Sequence, residues 1–181
     1  MSRTREQWDN FFESRTEELP PEDFLVEYRN LLSGPRVLDL ACGDGRNSFY
    51  LAELGFQVCA IDFSEVALKK VDAKGYSNIK TVAGDLSKTE TIEMLSGFDS
   101  ILINHFLPSE KVLACLMAKL NSNGRIFLTA FDGERGGSPA CPSLSSSETY
   151  KLLPEGEIII NRTYSNSWGD FRGIIIERRN I

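Results

Sequence analysis

Arg36-Val37-Leu38-Asp39-Leu40-Ala41-Cys42-Gly43-Asp44-Gly45-Arg46-Asn47 is the stretch that decides the fold. Its apolar run, Val37 to Leu40, reads as a buried strand. Small residues from Ala41 to Gly45 then form a loop, and a helical pattern starts at Asn47. A strand, a glycine loop and a helix in that order make the first unit of a cofactor-binding α/β sheet.

Downstream the alternation continues. Asn47 to Leu54 reads as a helix with Gly55 past its end, and Gln57 to Ile61 as a strand ending in Asp62. Ser64 caps a helix that runs to Gly75, and Ile79 to Ala83 is a third strand closed by Gly84-Asp85. A short helix carries Ile92, Met94 and Leu95 and ends at Gly97. Ser100 to Ile103 is a continuous apolar run, the pattern of a strand covered on both faces. Pro108-Ser109-Glu110 opens a helix, Asn121 to Gly124 is turn chemistry, and Arg125 to Ala130 is a fifth strand. Asp132 to Ser147, rich in Gly, Ser and Pro, reads as a loop, followed by a short helix at Ser147 to Leu153. Two β-rich runs, Glu157 to Tyr164 and Phe171 to Glu177, flank a polar turn and read as an antiparallel hairpin. The expected architecture is α/β: a doubly wound, Rossmann-like, mostly parallel sheet with a C-terminal antiparallel hairpin.

Upstream, Trp8, Phe11 and Phe12, then Phe24, Leu25, Tyr28, Leu31 and Leu32, fall at helical spacing on either side of Pro20-Pro21. These aromatics are expected to dock on the sheet or to form a lid over the loop. One domain over residues 1–181 is expected, with a helical cap at 1–34, a βα core at 36–131 and the hairpin at 155–178.

Composition narrows the function. The 181 residues carry 20 basic and 26 acidic side chains, a net charge of -6, with no basic run of the kind that tracks phosphates. A nucleic-acid partner is therefore not expected. No apolar run approaches a membrane span and the N-terminus has no signal-like apolar region, so a cytoplasmic protein is expected. The four cysteines, Cys42, Cys59, Cys115 and Cys141, lack metal-ligand spacing, and there is one histidine, so no metal site is expected.

The glycine loop leaves two ligand classes open. A dinucleotide fingerprint would place Ser48 where glycine or alanine belongs, and Asp44 where a pyrophosphate would approach. Like charges there repel. Started from Asp39, the pattern Asp-Leu-Ala-Cys-Gly-Asp-Gly resembles motif I of class I S-adenosylmethionine-dependent methyltransferases, with Ala41 at the usual first glycine. Around Leu38 to Ser48, including Arg46-Asn47-Ser48, it is similar to small tellurite-resistance-type methyltransferases. The resemblance implies a class I methyltransferase fold and S-adenosyl-L-methionine as cofactor. That molecule bears a sulfonium and an ammonium and no phosphate, so carboxylates near the loop become favourable.

The cofactor-binding residues expected are Asp39, Ala41, Cys42, Gly43, Gly45, Arg46, Asp62, Phe63, Asp85, Leu86 and Asn104. Asp62 ends the second strand, where a carboxylate accepts from both ribose hydroxyls, and Phe63 packs on the adenine. The resemblance places Asp85 on the adenine amino group, with Leu86 beside it, and Asn104 at the methionine part. His105 is the expected catalytic base, with Asp132 as a second candidate. Cys42 is expected to pack rather than to act as a nucleophile.

The expected function is in-line methyl transfer to a small-molecule acceptor by a monomer or homodimer. The alternatives are a non-catalytic S-adenosylmethionine-binding protein and an NAD-dependent oxidoreductase.

Overall fold

A computed structural model describes residues 4–95, 97–133, 143–145 and 156–179. The strands are β1 (Arg36–Leu40), β2 (Gln57–Asp62), β3 (Ile79–Ala83), β4 (Phe98–Asn104), β5 (Leu120–Asp132), β6 (Ser143–Leu144), β7 (Gly156–Asn166) and β8 (Gly169–Arg178). The helices are α1 (Arg5–Ser14), α2 (Asp23–Tyr28), α3 (Arg46–Glu53), α4 (Glu65–Ala73), α5 (Thr89–Glu93) and α6 (Glu110–Lys119).

The sheet order is β3-β2-β1-β4-β5-β8-β7, and β6 pairs with β5. β1 lies parallel between β2 and β4, so the chain order reverses there. Such a reversal opens a crevice at the carboxyl ends of the two strands, where ligands of open α/β sheets bind. β8 is antiparallel to β5 and β7, as expected of a closing hairpin.

Alternation along the strands sends side chains to two cores. Leu38, Leu40, Ile101, Ile103, Ile126 and Leu128 meet Val112, Leu113 and Leu116 of α6 on one face. Val37, Val58, Ala60, Leu102 and Phe127 meet Leu51 and Ala52 of α3, Leu68 of α4, and Phe24 and Leu25 of α2 on the other. Serine hydroxyls start two of the helices: Ser64 accepts from the Ala67 N–H and Ser109 from the Val112 N–H.

Four details depart from the expected pattern. β5 starts at Leu120 rather than Arg125, because Leu120 pairs with Phe98 before the register jumps to Ser100 and Arg125. Asn121 to Gly124 bulge out between these pairs, with Asn123 at φ 60°, which is turn behaviour inside a strand. α5 stops at Glu93, leaving Met94 81% exposed rather than on the apolar face. Within the stretch expected to be loop, Ser143 and Leu144 pair parallel with Phe131 and Asp132, and Leu144 is buried. The helix expected at 147–153 lies outside the described residues.

The upstream aromatics divide. Phe24 and Leu25 dock on the sheet, 1% and 2% exposed. Gly173 makes room for Phe24, since a Cβ there would sit 2.4 Å from the ring. α1 instead lies against α4 and over the glycine loop, where Phe12 is buried 3.1 Å from the position a Gly43 Cβ would take.

Candidate functional site

The loop after β1 turns sharply, with Ala41, Gly43 and Gly45 at φ 59°, 57° and 94°. Left-handed backbone of this kind favours glycine, and Ala41 adopts it at some cost. The Cys42 N–H donates to the Ile61 carbonyl at 3.0 Å, tying the loop to β2. Burial and the nearby Asp39 and Asp62 push the Cys42 thiol well above its ordinary value, so it stays protonated and packs.

Asp39 is fully buried on the α3 side of β1. Its Oδ2 accepts from the Ser48 hydroxyl at 2.6 Å, and its Oδ1 has no protein partner. Ser48, the misfit in a dinucleotide fingerprint, is here the group that satisfies the motif carboxylate. Burial raises the Asp39 carboxyl to about 6.

Asp62 is 5% exposed at the end of β2. Oδ2 accepts from the Gly43 N–H and Oδ1 from the Ser64 N–H, both at 2.9 Å. Burial raises its pKa, partly offset by those N–H donors. Phe63, beside it, lies under the Arg5 guanidinium of α1. Asp85 stands farther out: its carboxylate accepts from the Ser87 N–H at 3.0 Å and hydroxyl at 2.6 Å and meets Lys88 at 3.5 Å. Those serine bonds hold its pKa below the ordinary value. Leu86 is buried in the α6-side core.

Asp44, counted from sequence as open charge in the loop, is paired with Arg15 just after α1. The Lys70 ammonium donates to the Phe12 and Arg15 carbonyls, and the Ser64 hydroxyl donates to Asp9. These ties set the end of α1 on the loop.

A second polar cluster lies at the end of β4, with members from β5, β7, the start of α3 and the segment before α2. Glu22, 5% exposed, meets Arg46 Nη2 at 2.8 Å and His105 Nε2 at 3.3 Å through Oε2, while its Oε1 accepts from the Tyr164 hydroxyl. Its backbone N–H donates to Asn47 Oδ1 at 2.9 Å. With the Asn104 amide oriented to suit its neighbours, its nitrogen donates to Glu22 Oε2 at 3.3 Å and to the Thr129 hydroxyl, and its oxygen accepts from Arg46 at 2.6 Å. Burial pushes the Glu22 carboxyl up, but bonds from His105 and Tyr164 and the Arg46 charge bring it below its ordinary value. Tyr164 moves the other way, far above its ordinary value, through burial and the Glu22 charge. His105 stands at φ 53°, with Phe131 and Phe171 rings centred 5.5 and 5.1 Å away.

The predicted residues thus form two groups: Asp39, Ala41, Cys42, Gly43, Gly45, Asp62 and Phe63 around the loop, and Arg46, Asn104 and His105 in the second cluster. Asp85 and Leu86 are not tied to either by a bond. Asp132, the second base candidate, is 1% exposed and pairs with Arg172 at 3.4 Å. Glu22 and Tyr164 were not foreseen. The signal for Glu22 was its place after Pro20-Pro21, where the chain between the two cap helices must stop and turn.

The donor set discriminates between ligands. The Gly43 N–H, which a pyrophosphate would need, already donates to a carboxylate, and Asp39 presents a buried oxygen without a partner. The first leaves a phosphate without that donor, and the two carboxylates disfavour its charge and suit a cationic ligand with hydroxyls. Among the described residues no group of three or more His, Cys, Asp or Glu is placed to hold a metal ion, and no helix is long and apolar enough to cross a membrane.

Comparison with known proteins bears on the family and the fold. The family model "Tellurite resistance protein TehB" matches residues 5–125. The probable S-adenosyl-L-methionine-dependent methyltransferase TehB of Haemophilus influenzae is 34% identical over 91 residues, 49% of this chain and 32% of that protein. The mitochondrial ubiquinone biosynthesis O-methyltransferase of Schizosaccharomyces pombe is 32% identical over 119 residues, 59% of this chain and 43% of that one. The chain therefore spans well under half the length of these two relatives. The crystal structure of Haemophilus influenzae TehB superposes with a TM-score of 0.75 at 18% identity, covering 96% of this chain and 68% of that one. The magnesium protoporphyrin IX methyltransferase of Synechocystis PCC 6803 with bound SAM gives 0.65 at 20% identity, covering 97% and 79%. These likenesses show the fold, that of the class I methyltransferases.

Proposed function

The chain belongs to the tellurite resistance protein TehB family, and from that premise we propose that it is an S-adenosylmethionine-dependent methyltransferase acting on a small molecule. The observation that carries this reading is the loop itself. A fully buried carboxylate with a free oxygen and a second carboxylate bound to the loop N–H favour a cationic, hydroxyl-bearing ligand over a phosphate.

The residues to hold that ligand are Asp62 for the ribose hydroxyls, Phe63 for the adenine face, and the backbone of Ala41, Cys42, Gly43 and Gly45 for close approach. Asp39 lends negative charge from below the loop. Arg46 and Asn104 suit the amino-acid part, and Asp85 and Leu86 the outer edge of the adenine. Bound there, S-adenosylmethionine supplies a methyl group already activated on a sulfonium. What remains for the protein is to orient the acceptor, to exclude water and to hold or remove a proton. α1, tied to the loop by Arg15 and Phe12 and to α4 by Lys70, covers the loop. His105 faces the second cluster as the group able to take a proton.

Release of S-adenosylhomocysteine from S-adenosylmethionine, followed across a panel of phenols, thiols, amines and oxyanions of selenium and tellurium, tests the reading. Turnover of one or more small acceptors is expected. Binding of S-adenosylmethionine without turnover of any would favour the non-catalytic alternative.

A further inference from the structure

We propose that Glu22 is the positioning residue for His105, and that this carboxylate–imidazole pair serves an acceptor whose planar hydroxyl must lose its proton. The inference rests on the methyl-transfer reading above and deepens it.

Glu22 does more than neutralise Arg46. One of its oxygens is shared between Arg46 and His105 Nε2, and the other accepts from Tyr164, so a buried carboxylate gathers three side chains from three distant parts of the chain. Because Nε2 is the nitrogen that meets the carboxylate, the neutral ring carries its hydrogen there. The lone pair is then left on Nδ1. His105 adopts a left-handed backbone that a non-glycine residue takes only at a cost, and the Phe131 and Phe171 rings hold it from the side. A strained, single histidine oriented by a carboxylate is the arrangement of a base.

The chemistry of the wall selects the acceptor. An acceptor that is already an anion needs no base. A hydroxyl on a flat ring needs the base and finds part-exposed aromatic neighbours in Phe131 and Tyr164. In the step, the acceptor O–H bond breaks and its proton passes to Nδ1. The oxygen lone pair forms the new O–C bond while the S–C bond of the sulfonium donor breaks, its electron pair staying on sulfur as a neutral thioether. The imidazolium then returns the proton to water.

His105 is the only histidine, so its ring 15N signals need no assignment. With S-adenosylhomocysteine bound, the wild type is expected to show the Nε2–H tautomer as the dominant neutral form. Glu22→Gln should shift the tautomer ratio toward that of free histidine by about threefold or more, with Tyr164→Phe giving a smaller shift in a protein that keeps the carboxylate. With catechol as probe, Glu22→Gln should lower kcat about tenfold or more and move KM by less than about threefold. Thiophenol at about pH 8 is ionised without help, and its turnover should change by less than about threefold. A wild-type Nδ1–H tautomer, an unchanged ratio in Glu22→Gln, equal losses with both probes, or turnover of thiophenol but not catechol would each overturn the proposal. The tautomer decides alone if neither probe is turned over. Absence of S-adenosylhomocysteine binding by the wild type would instead defeat the methyl-transfer reading itself.

Discussion

Replacing Asp39 by Asn isolates the electrostatic character of the loop. Asp39 is 0% exposed, has one hydrogen bond from Ser48 and one oxygen without a partner, and its carboxyl is raised by burial from 3.8 to about 6. A raised carboxyl means that the folded state holds the proton more tightly than the unfolded chain does. Stability from this group is therefore full below the unfolded value and is lost as pH rises through about 6. A shift of about two units corresponds to about 3 kcal/mol, a large share of the roughly 5–15 kcal/mol that holds a domain together. Asparagine keeps the shape and the bond to Ser48 and cannot ionise. Urea unfolding of both ligand-free proteins at about pH 4 and about pH 8 should show the stability of Asp39→Asn, relative to wild type, rising by about 2.5 kcal/mol across that interval. Subtracting wild type cancels the other titrating groups. A difference between the two proteins that stays constant within about 0.5 kcal/mol would show that the carboxylate is compensated in the ligand-free protein. The loop would then have no unmet preference for a cation.

Two other perturbations probe the frame around the site. Gly173→Ala would place a Cβ 2.4 Å from the Phe24 ring and should cost about 1–3 kcal/mol by urea unfolding. The added Phe24→Leu change should recover part of that loss, and additive losses would refute the close contact. Cys42, buried and with its thiol held protonated, should react with a disulfide reagent in the native protein about tenfold or more slowly than free cysteine. Mass spectrometry of the labelled peptides reads this directly, and rapid labelling of Cys42 would mean that the loop opens freely.

The parts legible in sequence were those set by local periodicity and turn chemistry. Val37 to Leu40, Gly43 and Gly45 specify a strand and a sharp turn from residues adjacent in the chain, and Asp62 is placed by ending the next strand. Asp39 was legible as a carboxylate but its environment was not, because Ser48 meets it from the opposite end of the loop through α3. The charge of Asp44 was assigned to the ligand when its partner is Arg15, 29 residues earlier. Glu22 and Tyr164 escaped for the same reason. Separations of 83 residues from Glu22 to His105 and 142 to Tyr164 leave no periodic trace, and only the closing of the sheet brings them together. β6 was hidden by composition: Ser143 and Leu144 sit in a segment rich in Gly, Ser and Pro, yet two residues suffice to pair with the end of β5.

Calorimetric titration with S-adenosylmethionine, S-adenosylhomocysteine and NAD, on the wild type and on Asp62→Ala, tests most directly what the loop binds. Asp62 holds the Gly43 N–H at 2.9 Å and ends β2 at the crevice, so removing its carboxylate takes away both the hydroxyl acceptor and an anchor of the loop. The expected result is binding of both adenosyl ligands and not of NAD to the wild type, with affinity in Asp62→Ala lower by about 1.5–3 kcal/mol, or roughly 10- to 150-fold. Binding of NAD by the wild type with no affinity for S-adenosylmethionine would contradict it.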